Sequence, residues 1–173
     1  MVDGISQKYN VESAVKVMEK SEGVSENGGS YTLAGNSYAL FNRLNAHNKI
    51  SFTARTASNA DKFGFSFVRG TDSAKYYTIV VSPEDNNNKR KINFEEEGEA
   101  GKGFIAGIDG YLFDSPADNV YNVTIFTDNS VCVVYINDNV AYTNRIYGIQ
   151  KNPWSINSYS GTVDVSNLKV SYY

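Results

Sequence analysis

The stretch over residues 128–148, D-N-S-V-C-V-V-Y-I-N-D-N-V-A-Y-T-N-R-I-Y-G, constrains the fold more than any other part of the chain. It predicts two strands folded about an Asn137-Asp138-Asn139 turn and entered through a second turn at Asp128-Asn129. Asn and Asp tolerate the left-handed backbone that tight hairpins demand, so two such clusters around an apolar run specify a hairpin. Between the turns, Val131, Val133 and Tyr135 point one way and Cys132, Val134 and Ile136 the other. Both sets are apolar, which predicts a strand buried on both faces, inside a layered β domain rather than at its edge.

Most of the chain repeats that period of two. Tyr31 to Leu33 and Tyr38 to Phe41 read as short strands about a Gly35-Asn36 turn. Ile50, Phe52 and Ala54 alternate with polar neighbours, Tyr77, Ile79 and Val81 continue the period of two, and Val120 to Phe126 forms a strong strand. In Phe63-Gly64-Phe65-Ser66-Phe67-Val68 one face is a row of rings and the other nearly bare, a patch that a neighbouring chain or a ligand can approach closely. Glu95 to Gly103 reads as an acidic loop. Near the end, Val163 and Val165 share one parity while Leu168, Val170 and Tyr172 share the other, so a β-bulge is expected at Ser166-Asn167.

Residues 10–20 carry a different period. Val11, Ala14, Val15 and Met18 fall at i, i+3, i+4 and i+7, with Asn10 placed to cap, which predicts a helix. The expected organisation is a linker with this short helix over residues 1–29, then an all-β, two-sheet antiparallel β-sandwich over residues 30–173.

Composition excludes several function classes. A chain of 173 residues can bury a sizeable core as one domain. A net charge of −3 gives no basic face for nucleic acid. One Cys and one His rule out a disulfide framework, a four-thiolate zinc site and a histidine-rich metal site. Asp85-Asn86-Asn87-Asn88 is oxygen-rich, but Lys89-Arg90-Lys91 follows and would repel a cation, so neither metal nor cofactor is expected. No apolar run approaches the roughly 20 residues that span a bilayer, so no membrane insertion is expected. Met1-Val2-Asp3-Gly4 lacks the features of a signal peptide, which leaves a cytoplasmic protein or one domain of a longer exported one.

Catalytic constellations are equally scarce. His47 is the only imidazole, no G-x-S-x-G occurs, and Cys132 reads as a small buried hydrophobe between Val131 and Val133. Glycoside hydrolysis needs two carboxyl groups held about 5–10 Å apart, which consecutive glutamates in a loop do not provide. Sugar binding needs aromatic faces and side chains that bond vicinal hydroxyls. Trp154, Arg145, Tyr147, Arg69 and the carboxylates Glu95 and Glu96 are the candidates, and Arg69, a carboxylate from Glu95 to Glu97, and Arg145 with Trp154 are expected to converge on one face.

The hairpin also carries a family likeness. Asp128, Ser130, Tyr135, Asn137 and Asp138 follow a D-x-S-x-x-E-x-F-x-N-D-G pattern, and Thr143, Arg145 and Tyr147 follow T-x-R-x-Y. Together with the closing W-S-I-N-S-Y-S-G-T-V-D-V-S-N-L-K-V-S-Y-Y, this resembles the C-terminal β-sandwich of glycoside hydrolase family 32, the fructan hydrolases and invertases. Asn139 stands where that family has Gly. The N-D-P-N-G, R-D-P and E-C segments of the family's catalytic propeller do not occur in the chain.

The resemblance implies a concanavalin A-like jelly roll, similar to the levan-binding family 66 carbohydrate-binding modules. It adds Asp138 to the sugar-contact candidates. Its implied role is a non-catalytic module of a bacterial fructan-processing enzyme, secreted or displayed at the cell surface as part of a longer chain. The module would bind fructan or another polysaccharide, or brace the propeller of the same parent chain. An independent glycosidase is the third alternative.

Overall fold

Fifteen strands, all paired antiparallel, form two sheets among the residues that the computed structural model describes: 9–70, 76–84, 88–97 (backbone only at 95–97) and 110–173. The back sheet runs β13 (Val140–Arg145), β12 (Val131–Ile136), β11 (Val120–Asp128), β6 (His47–Thr56), β15 (Thr162–Tyr172), β4 (Ser30–Ala34) and β3 (Val24–Asn27), and β1 (Val11–Ser13) also pairs with β15. The front sheet runs β10 (Tyr111–Asp114), β9 (Lys89–Glu97), β8 (Tyr76–Glu84), β7 (Lys62–Val68), β14 (Trp154–Ser160), β5 (Ser37–Phe41) and β2 (Val17–Lys20).

The alternation expected from the sequence builds the core between these layers. Phe63, Phe65 and Phe67 of β7 point inward, where Phe63 meets Tyr121 of the back sheet edge-on at 5.1 Å and Phe65 meets Phe52 at 6.3 Å. Trp154 is 1% exposed and stacks on Phe41 at 4.8 Å, with Tyr31 closing the group from the back sheet. Each such ring contributes about 1.5–3 kcal/mol of burial, so this aromatic layer is what fixes the two sheets face to face.

The opening hairpin forms as expected. Asn137 and Asp138 have φ of 50° and 55°, and the Asn139 N–H donates to the Ile136 carbonyl at 3.1 Å, which makes a type I′ turn. The Asn137 side chain staples that turn to β11, donating to the Val120 carbonyl at 3.0 Å and accepting from the Asn122 N–H at 2.7 Å. Burial differs from expectation: Cys132, Val134 and Ile136 are buried, but Val131, Val133 and Tyr135 are half-exposed on the outside of the back sheet. β12 lies second from the edge, covered on one face only. Apolar residues on both parities therefore overstated its burial.

The helix expected over residues 10–20 does not form. Val11–Ser13 pairs with the end of β15, and Val17–Lys20 pairs with β5. The helical spacing of Val11, Ala14, Val15 and Met18 loses to backbone pairing with two open strand edges, and Val11 and Met18 remain 43% and 57% exposed. Tertiary partners override local periodicity here. The Gly35-Asn36 turn is present, with Gly35 at φ 67°, but it carries the chain from the back sheet to the front sheet. Glu95 to Glu97, read as loop, continue β9 opposite Thr78, Tyr77 and Tyr76; residues 98–103 of that acidic stretch lie outside the described residues. The bulge at Ser166-Asn167 appears as a register shift between Ser166 and Lys169, with Asn167 at φ 56°.

A cleft on the outer face of the front sheet

The residues of β7, β14, β5 and β8 that face away from the core line a cleft of about 470 Å³. Its floor is a single cross-strand row: Thr78 pairs with Ser66, Ser66 with Ser155, and Ser155 with Leu40. The row extends to Glu95 on β9 and Glu19 on β2. Adjacent to it, Asn157 lies between Gly64 and Tyr38. These positions belong to the outward parity, yet Ser66, Thr78, Ser155 and Asn157 are only 8%, 0%, 7% and 9% exposed.

Burial at that level requires the polar groups to satisfy one another. Ser155 Oγ donates to Asn157 Oδ1 at 3.0 Å, and Asn157 Nδ2 donates to Ser66 Oγ at 2.7 Å. The Ser66 and Thr78 hydroxyls share a further bond of 2.9 Å, and Asn157 Nδ2 reaches the Tyr159 hydroxyl at 3.4 Å. The network spans three strands and ties the Ser155, Ser66 and Thr78 hydroxyls into one chain of hydrogen bonds.

Three tyrosines shape the walls: Tyr38, Tyr76 and Tyr159. The bare patch on β7 explains the position of one. A Cβ at Gly64 would sit 3.2 Å from the Tyr159 ring and 2.4 Å from the Ile79 carbonyl, so the glycine lets that ring lie against the strand. The Lys62 ammonium covers the same ring at 5.2 Å. Tyr159 is thus held in place, while Tyr38 is 37% exposed at the lip. Its phenol donates to Glu19 Oε1, and that bond, with burial second, holds the phenol above its ordinary pKa range. Among the described residues no group of His, Cys, Asp and Glu is arranged to hold a metal ion.

The residues singled out from sequence are distributed differently. Trp154 is a core ring and cannot stack on a ligand: its strand parity turns it inward against Phe41 and Phe67. Arg69, half-buried, lies over the Tyr77 ring at 5.1 Å at one end of the sandwich. Tyr147 is 59% exposed at the same end, because the Gly70 N–H donates to the Gly148 carbonyl at 2.8 Å and Asn152 clamps both glycine carbonyls. Arg145 is exposed and donates to Ser130 Oγ at 3.2 Å. Asp138 sits at the opposite end of β12, about 17 Å of strand away by the usual rise. By backbone register Glu95 pairs with Thr78 and Glu96 with Tyr77.

The cleft residues Glu19, Tyr38, Tyr76, Asn157 and Tyr159 were not anticipated from the sequence. The Gly64-Ser66 face was the signal that pointed toward them, and the matching Ser155-Asn157-Tyr159 parity on β14 would have completed it.

Comparison with known proteins agrees with the architecture. The chain superposes on the carbohydrate-binding module CBM66 from Bacillus subtilis with a TM-score of 0.64 at 11% identity, covering 92% of this chain and 96% of that one. It superposes on an Aspergillus kawachii β-fructofuranosidase with a TM-score of 0.56 at 18% identity, covering 87% of this chain but 27% of the enzyme. A Bacillus licheniformis β-glucanase matches with a TM-score of 0.58 at 11% identity over 94% of this chain and 91% of that one. No curated protein matches by sequence. The model of one family, described as GH32, BT1760-like, C-terminal domain, matches residues 1–170. The chain belongs to this family: it is a C-terminal, non-catalytic module of glycoside hydrolase family 32.

Proposed function

We propose that this module binds fructan, or a closely related polysaccharide, in the cleft on the outer face of the front sheet. The observation that carries the reading is the buried Ser155-Asn157-Ser66-Thr78 network beneath three tyrosines. Fixed hydroxyls and an amide on the floor suit a ligand rich in hydroxyls, and tyrosine walls suit the apolar faces of sugar rings. The module would hold substrate for a catalytic propeller in the same parent chain, acting outside the cytoplasm as part of a longer exported protein.

Calorimetric titration with levan and inulin fragments tests the reading, with Tyr76→Ala run in parallel. Binding by the unaltered chain that Tyr76→Ala weakens at least tenfold supports it; an aromatic contact to a sugar supplies roughly that much. Absence of binding overturns it. A second role, bracing the propeller, is favoured by Tyr147, an exposed ring on a clamped turn beside Arg145. Rigid aromatic side chains of this kind anchor interfaces at low entropic cost.

A further inference from the structure

Resting on the reading of the cleft as a carbohydrate site, we propose that Glu19, supplied by the N-terminal strand β2, is its specificity-determining residue. Its second carboxylate oxygen accepts from neighbouring sugar hydroxyls, and its charge confines the site to neutral saccharides.

The lip that carries Glu19 is fixed at three points. The Tyr38 phenol donates to Glu19 Oε1, the Tyr38 N–H donates to Ser21 Oγ at 2.8 Å, and the Ser21 N–H donates to the Tyr38 carbonyl at 3.0 Å. These bonds set the aim of the carboxylate and use only one of its oxygens. Oε2 takes no partner among the described residues. An ionised carboxylate is an acceptor at both oxygens and suits the paired donors of a vicinal diol. Asn36, exposed beside it on the same lip, adds an amide that can both donate and accept.

Charge then sets the class of ligand. Of the described side chains that line the cleft, Glu19 is the ionised one, and they include no Lys, Arg or His. Next to Glu19 in sequence, Lys20 is paired with Glu26 at 3.0 Å, and Lys62 is held against the Tyr159 wall, 5.2 Å from the ring centre. A uronate or sulfated sugar bound beside Glu19 would meet like charge at the lip, a repulsive element that discriminates against it.

The test is calorimetric titration of the full chain with a neutral fructo-oligosaccharide and an oligouronate of equal length. Glu19→Gln and Tyr38→Phe are compared with the unaltered chain. The unaltered chain is expected to prefer the neutral ligand at least about tenfold. Glu19→Gln should weaken neutral binding about tenfold, the value of one charge-assisted hydrogen bond, and should narrow the neutral-to-acidic ratio. Tyr38→Phe should weaken the neutral ligand but keep the ratio, because the charge remains. A merely structural Glu19 would shift both ligands alike and leave the ratio unchanged, which overturns the inference, as does equal affinity of the unaltered chain for both. Binding of neither ligand overturns the carbohydrate reading itself, and the inference with it.

Discussion

Asn157→Leu isolates the polar network beneath the cleft. Leu nearly matches Asn in shape, so packing changes little and the loss is polar. Three hydrogen bonds disappear: those of 3.0 Å from Ser155 and 2.7 Å to Ser66, each contributing about 1 kcal/mol net, and a long one of 3.4 Å to Tyr159 that adds little. The Ser155 hydroxyl, in a residue 7% exposed, is also left without its acceptor, which costs about 1 kcal/mol more. Ser66 is not stranded, because it keeps Thr78 at 2.9 Å. The expected loss is about 3 kcal/mol. Adding Ser155→Ala removes the stranded group and should return about 1 kcal/mol, so the double variant is more stable than the single one. Urea unfolding followed by tryptophan fluorescence reads this directly, since Trp154 is the only tryptophan and is buried between the sheets. A single-variant loss below about 0.5 kcal/mol, or a double variant less stable than the single, would refute the network as a stabilising unit.

Trp154→Ala should cost about 3–5 kcal/mol by opening a cavity against Phe41, read from circular dichroism during urea unfolding. Burial pushes the Cys132 thiol up to about 12, so it should not react with a thiol-specific disulfide reagent at pH 8 until the chain is unfolded. The Tyr9 phenol is pushed up to about 12 by burial first, then by Tyr173 and Asp128. Its raised value makes a contribution that is fully present below the unfolded phenol value of about 10 and is lost as pH rises toward 12. Stability should therefore fall across that interval, and Tyr9→Phe should flatten part of the fall in urea titrations at successive pH values.

Where a sequence signal and its physical cause lie in the same few residues, it was legible. The Asn137-Asp138 turn needs left-handed backbone at both positions and obtains it, and the phenylalanines of β7 needed only period two to turn inward. Cys132 was legible as a buried hydrophobe for the same reason. The parity slip at Ser166-Asn167 was visible because a bulge displaces every later side chain in its own strand. The family likeness drew on the same hairpin, but the residues it marked serve the fold more visibly than a site. Asn137 staples the turn to β11, and Asp138 lies at the other end of β12 from Arg145.

The cleft was legible only in outline. Gly64 and Ser66 announced an open face, but the residues that fill it come from β2, β5, β8 and β14, far apart in the chain. Glu19 was hidden because helical spacing in residues 10–20 concealed two short strands, whose pairing partners Phe41 and Tyr172 lie 24 and 161 residues beyond Val17 and Val11. Trp154 shows the converse: its type suggested a sugar platform, and strand parity made it core. Alternation, turns and the need for two layers were already written in the order of residues, because those follow from local backbone geometry and the burial of apolar parity. Which edges the first strands join and which polar residues meet in one row emerged with the assembled sheets, because cross-strand register is set by partners that are distant in sequence.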